Sequence, residues 1–262
     1  MTMSDSLVLV NTVDGITTVT LNQPDRRNSL SMSMLEALSG ALNQLAEDEN
    51  TRVVVLTAAG PVFCAGHDLK EIREQFDQTD AQQRLFQLCS KVMQQIIGLS
   101  QPVIAKVKGV ATAAGCQLVA SCDLAIATTS SRFATPGVNI GLFCSTPMVA
   151  LSRNVSRKHA MEMLLTGNMI SAERAEQTGL INRVVDDAAL DETVHSLATT
   201  IAGKSSHTLK IGKEAFYHQL EMGLAEAYDY TSNVMAENLD AVDAQEGICA
   251  FLEKRKPDWR GH

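Results

Sequence analysis

The chain has 262 residues, 45% of them apolar, and 22 basic against 30 acidic side chains leave a formal net charge of −8. Six Pro and 16 Gly are too few for a collagen-like or low-complexity fibre, and apolar residues recur too often for a disordered chain. The acidic balance argues against nucleic acid as a partner, because non-specific binding there depends on neutralising phosphates. The length suits one large domain, or one domain with an appendage.

Met1-Thr2-Met3-Ser4-Asp5-Ser6 has neither the basic start nor the apolar run of a secretory leader. No segment approaches 18 uninterrupted apolar residues, so no membrane partner is expected. Cys64, Cys89, Cys116, Cys122, Cys144 and Cys249 occur singly, without Cys-x-x-Cys spacing. That pattern suits a reducing compartment, and the expectation is a cytoplasmic protein.

Residues 7–13 and 16–21 flank Asp14-Gly15, a hairpin turn signal. Leu35, Leu38, Leu42 and Leu45 then recur at helical spacing. The β-branched run 53–57 follows, and it suits a strand buried on both faces. A helix is expected over 85–99, a buried strand over 103–107, a helix over 113–121 and a strand over 124–127. This alternation predicts a parallel α/β core to about residue 190. Beyond Leu190 the pattern is helical, with Leu224, Ala227, Tyr228, Thr231, Met235 and Leu239 on one face.

Gly203-Lys204-Ser205 ends like a phosphate-binding loop, but Ala198 stands where that motif needs glycine, so Gly203 is read as a helix C-terminus. No two of the six His stand at i, i+4, and no metal site is expected. His159 and His218 fall in helices as surface or packing residues. Two small-residue loops remain, Phe63-Cys64-Ala65-Gly66-His67-Asp68-Leu69-Lys70 and Gly109-Val110-Ala111-Thr112-Ala113-Ala114-Gly115-Cys116-Gln117. Small side chains let a substrate oxygen approach backbone N–H groups, and a helix N-terminus adds positive potential. Two such loops can converge as an oxyanion hole.

With these loops and Pro24-Asp25-Arg26-Arg27-Asn28-Ser29-Leu30, the chain resembles the crotonase (enoyl-CoA hydratase/isomerase) superfamily over nearly its whole length. Within it the segments 114–123 and 134–147 are most similar to the third type of enoyl-CoA hydratase domain-containing proteins. The resemblance implies an α/β fold, a ClpP-like spiral of ββα units over residues 1–200, with a helical trimerisation region over 201–262. It implies a homotrimer or dimer of trimers whose partner is an acyl-CoA thioester, with no cofactor beyond the coenzyme A of the substrate. The thioester oxygen would sit between the N–H groups of Ala65 and Ala114. Arg26 and Arg27 would face phosphate, with Lys254, Arg255 or Lys256 reaching it from a neighbouring subunit. Cys64, Gly66, His67, Asp68, Leu69, Gly115, Pro136, Leu142, Cys144 and Ser145 would line the substrate.

Two residues depart from the family's pattern. Hydratases in the family use two glutamates, and Gln117 and Gly137 stand at those catalytic positions. A glutamine amide does not titrate near neutral pH, and glycine has no side chain. Each missing acid–base group removes roughly 10²–10⁴-fold, so hydratase activity is expected to be weak. The alternative is a catalytically weak or inactive acyl-CoA-binding pseudoenzyme. Segments like 137–145 supply a carboxylate in some isomerases of the family, but Cys144 and Ser145 offer only a neutral thiol and hydroxyl. Asp68 is read as the cap of the helix that follows it.

Overall fold

The computed structural model describes residues 6–74 and 76–262; Met1 to Asp5, on which the leader argument partly rests, lie outside the described residues. Strands β1 (Val8–Val13) and β2 (Ile16–Leu21) form the expected hairpin. Asp14 and Gly15 both take positive φ, 50° and 76°, as a two-residue turn matched to strand twist requires. Helix α1 (Met32–Ala46) starts at Ser31, whose side chain accepts from Met34 N. It buries Leu35, Leu38, Leu42 and Leu45, the stripe visible in the sequence.

A two-strand step follows, repeated along the chain. The parallel strands β3 (Val53–Ala58), β5 (Val103–Val107) and β7 (Leu124–Thr128) extend the sheet begun by the hairpin. Each is followed by a three-residue strand in a second sheet: β4 (Val62–Cys64), β6 (Val110–Thr112) and β8 (Arg132–Ala134). With β9 (Ile170–Ser171) and β10 (Arg183–Val185) completing them, the sheets run β1-β2-β3-β5-β7-β10 and β4-β6-β8-β9. This is the ββα spiral rather than the simple βαβ alternation of the periodicity. The short strands escape a periodicity reading because three residues carry too few alternations.

Both faces of the large sheet are covered. Val54, Leu56, Val103, Ala105, Val107, Ala125 and Ala127 join the main core with helices α1, α3 (Thr79–Gly98) and α4 (Ala114–Ser121). Val53, Val55, Ile104 and Ile126 point the other way, onto Leu190, Val194 and Ala198 of α8 (Leu190–Ala202). Alternation along each strand thus feeds two cores. Helix α3 begins six residues before the expected Leu85, since its polar first turns show no apolar stripe. Among the helices between, α2 (Leu69–Glu74) and α5 (Pro147–Asn154) flank the site, while α6 (Arg157–Thr166) and α7 (Ala172–Thr178) close the second sheet.

Helix α8 (Leu190–Ala202) ends at Gly203, and Ser205 starts α9 (Ser206–Gln219) by accepting from Thr208 N, so Gly203-Lys204-Ser205 is a joint between helices. Buried Lys213 fastens α9 to the core, donating to Asp123 Oδ2 at 2.7 Å, Gln101 O at 3.0 Å and Ile96 O at 3.1 Å. Tyr217 donates to the other oxygen of Asp123 at 2.8 Å, while Asp123 also accepts from Val103 N. Helices α10 (Leu224–Asp240) and α11 (Val242–Leu252) complete the chain, with Asp243 accepting from Ser205 Oγ and from the N–H groups of Arg260 and Gly261.

Candidate functional site

The first loop is held by Asn28. Fully buried and at φ 51°, Asn28 accepts from Gln23 N and donates to Ala59 O and Val62 O at 2.9 and 2.8 Å. This clamp fixes residues 24–28 against the ends of β3 and β4. Nothing in the motif alone separated Asn28 from its neighbours; its tolerance of left-handed backbone was the one usable signal.

β4 delivers Cys64 and Ala65 beside the N-terminus of α4. A Cβ on Gly115 would fall inside the van der Waals shell of the Cys64 carbonyl oxygen, so only glycine lets the two loops press together. Gly66 abuts Ala113 in turn. Ala113 is a non-glycine residue at φ 50°, ψ −119°, a strained conformation of the kind that gathers at functional sites. Its N–H is held by Ala134 O at 2.9 Å, and α4 then opens with the N–H of Ala114 lacking any partner among the described residues.

Ala65 is not free to act as the second donor, because its N–H already donates to Arg27 O at 3.1 Å. His67 is free. In the parallel bridge between Leu30 and His67, Leu30 N–H donates to Gly66 O and the N–H of His67 itself points away from that partner, unbonded among the described residues. The His67 imidazole takes Leu30 O through Nδ1 at 3.0 Å and meets Phe86 edge-on at 5.2 Å. Burial pushes its pKa below the ordinary value, and Nε2 is sealed without a partner. Asp68 caps α2 as expected, accepting from Lys70 N at 2.9 Å, and its other oxygen holds Arg26 at 3.2 Å.

Gln117 lies one turn into α4, 4% exposed, and among the described residues its Oε1 has no hydrogen-bond partner; the Thr135 hydroxyl is equally sealed and without one. Gly137 follows in a short 3-10 turn, Pro136–Ile140, and its N–H donates to Cys144 Sγ at 3.4 Å. Pro136 is half-buried, and Leu69, Leu142 and Ser145 are exposed beside these loops. Burial pushes the Cys64 and Cys116 thiols up to about 12 and raises Cys144 as well, so all three are thiols at neutral pH.

Of the basic residues, Arg27, Lys254 and Lys256 are exposed, but Arg255 is held by Glu246 at 2.6 and 2.9 Å and by Glu253 at 2.6 Å. Two concavities, of 630 and 610 Å³, lie elsewhere, the first bounded by Asp48, Gln101 and Lys210 and the second by Met32, Glu71 and Arg84. Among the described residues no group of three His, Cys, Asp or Glu side chains could hold a metal ion, and no helix is long and apolar enough to cross a membrane.

Two sheets wound as a ββα spiral, with two glycine-packed loops at a helix N-terminus, define a crotonase-type fold. The family model for enoyl-CoA hydratase/isomerase matches residues 11–262, and the chain belongs to that family. The chain is similar to enoyl-CoA hydratase domain-containing protein 3, mitochondrial, of Homo sapiens, 51% identical over 247 residues that cover 94% of this chain and 81% of the relative. The crystal structure of the human protein matches with a TM-score of 0.94 at 50% identity, covering 97% of this chain and all of that one. An enoyl-CoA hydratase from Mycobacterium smegmatis matches equally, with a TM-score of 0.94, 51% identity and coverage of 97% and 98%.

The cytoplasmic expectation is overturned by these relatives, since the human, rat and mouse proteins, 50–51% identical, are all named mitochondrial. Free cysteines, on which the expectation rested, do not distinguish one reducing compartment from another.

Proposed function

We propose that the chain binds an acyl-CoA thioester with its carbonyl oxygen between the N–H groups of His67 and Ala114, and stabilises the enolate of that thioester. The single observation that carries this reading is that these two N–H groups, on loops pressed together at Gly115, have no partners among the described residues. Preorganised donors of this kind act where negative charge develops on oxygen. Exposed Arg27, Lys254 and Lys256 are the cations suited to the phosphates, while Arg26 and Arg255 are already engaged by carboxylates.

Hydration itself is very weak in this reading, because Gln117 and Gly137 supply no titratable pair. The same two residues favour a second reading, an acyl-CoA-binding protein without turnover. The chain works as a trimer or dimer of trimers in either case, since α10 leaves Leu224, Tyr228 and Met235 more than 60% exposed.

The donor assignment is tested by comparing crotonyl-CoA with its thioether analogue, which lacks the carbonyl oxygen, by calorimetry. Two lost hydrogen bonds are worth about 1–3 kcal/mol, so the thioether binds about fivefold or more weakly. Equal Kd values overturn the assignment. Following the conjugated absorbance of crotonyl-CoA in the same samples separates the readings: slow loss on binding supports the enzyme, none supports the binding protein.

A further inference from the structure

Gly66 is the loosest joint of the first loop, and it stands immediately before the donor at His67. Its φ of 91° lies where L side chains rarely go, and a Cβ there would come within 2.9 Å of Ala113 Cβ. No stiffer residue fits without pushing the two loops apart, so the direction of the His67 N–H has to be fixed from outside the joint. The loop is tied down on either side of it, with Ala65 N donating to Arg27 O at 3.1 Å and Asp68 holding Arg26.

Leu30, fully buried two residues before α1, grips the joint at two points. Its N–H donates to Gly66 O at 2.8 Å. The C=O and N–H of a planar trans peptide point opposite ways, so that bond turns the His67 N–H away from Leu30. The second point is the His67 side chain, whose Nδ1 lies 3.0 Å from Leu30 O. A carbonyl oxygen only accepts, so Nδ1 carries the proton and Nε2 is left as a bare lone pair. One bond lets the 66–67 peptide swing about its hydrogen-bond axis, and the second stops it. Phe86 meets the ring edge-on at 5.2 Å and holds it from another side. Nε2 is sealed from solvent with no partner among the described residues, so neither ring nitrogen is open to a substrate. Burial favours the neutral ring that this arrangement needs.

We propose that the His67 imidazole is a positioning residue for the donor on its own backbone: its bond to Leu30 O locks the 66–67 peptide with the His67 N–H facing the thioester oxygen. The inference rests on the thioester reading above and adds what makes one of the two donors rigid. The side chain touches no reacting atom. It acts by removing the need to order the N–H when negative charge develops on the oxygen, which is what makes a preorganised donor effective. Without the ring the N–H is still present but free to turn, so the oxygen is held less well while the rest of the acyl-CoA is bound as before. An Asn amide nitrogen stands as many bonds from Cα as Nδ1 and can make the same bond. Ala cannot, and Gln carries its amide one carbon too far.

The test measures by calorimetry the Kd of butyryl-CoA and of its thioether analogue, which lacks the carbonyl oxygen, for the parent, His67→Asn, His67→Ala and His67→Gln. The ratio of the two Kd values reads the hydrogen bonds to that oxygen, whereas a merely structural role weakens both ligands together and leaves the ratio unmoved. In the parent the thioether binds about fivefold or more weakly. His67→Ala and His67→Gln lower the ratio about threefold, with the thioether Kd changed less than about twofold, and His67→Asn keeps the parent ratio. A parent ratio in the Ala or Gln variant overturns the role of the imidazole and leaves the thioester site standing. So does a ratio lost in His67→Asn as fully as in the others. A parent ratio of one overturns the thioester reading and the proposal together. If His67→Ala does not fold, His67→Gln, closer in volume to the parent, decides by the same ratio, and if neither folds, a ratio lost in His67→Asn overturns the proposal by itself.

Discussion

Room, not backbone conformation, decides what position 137 can carry. Gly137 has no positive φ, yet a Cβ there would fall within van der Waals contact of the Leu142 carbonyl oxygen and crowd Cys144 Sγ. Restoring both carboxylates is therefore blocked at one of the two sites. Gly137→Glu is expected to lower stability by about 2 kcal/mol or more in urea denaturation and to leave crotonyl-CoA hydration unimproved. Gln117→Glu alone keeps the fold, because the new carboxyl replaces an amide of the same shape, and raises kcat/KM for crotonyl-CoA about tenfold. A Gly137→Glu protein as stable as its parent would show that the 137–142 turn yields. At His67 the imidazole pKa is depressed by burial. The unfolded chain then binds a proton near pH 6.5 while the folded one does not, so stability is full above that pH and falls as pH drops through it. His67→Gln should flatten this part of the stability–pH curve; an unchanged slope would exonerate His67.

At the scale of elements, polar anchors rather than an apolar stripe set where helix α9 sits. Helix α9 buries only Ala215 deeply, yet it is fixed to the core by Lys213 and Tyr217 on Asp123, a carboxylate that also caps the start of β5. Desolvation lowers the Lys213 pKa and raises that of Tyr217, and the ion pair at 2.7 Å compensates the buried charges. Removing one partner leaves the other uncompensated. Lys213→Ala is expected to cost about 3–5 kcal/mol in chemical denaturation, and Lys213→Ala with Asp123→Asn to cost less than the sum of the two singles. Additive losses would mean that the two groups do not act as a pair. The same logic holds for Asn28, whose three buried hydrogen bonds fix the loop that leads to α1.

For the whole molecule, large apolar side chains lie open on several elements, α10 and the segments near the site among them. Leu224, Tyr228, Met235 and Leu239 of α10 lie open, as do Ile140, Leu142, Leu165 and Met169 near the site. On α10 the exposed residues recur at helical spacing on one face, and closed symmetry is the usual way to cover such a face. Light scattering at micromolar concentration should give three or six times the 28.3 kDa chain mass, and a monomer mass would sink the assembly. Replacing Leu224 and Tyr228 by Glu should shift that mass downward without unfolding the core, since neither side chain is buried in it.

The sequence by itself determined the hairpin, the buried parallel strands, the α1 stripe, the Asp68 cap and the helix joint at Gly203, because each is written in local periodicity or a single turn residue. It also determined the family, through the two loops and the residues around them. The second sheet was legible only through that family likeness, since its strands are two or three residues long. Which N–H groups are free was beyond it: Ala65 and His67 are two residues apart in one loop, and only the approach of Arg27 O to one of them separates their roles. The contact of Cys144 sulfur with Gly137 and the crowding by the Leu142 carbonyl likewise join residues five to seven apart through a turn whose path no spacing rule predicts. Local order follows from neighbours along the chain, whereas a site is made of vacancies and contacts between segments, and those exist only once the two sheets have closed on each other.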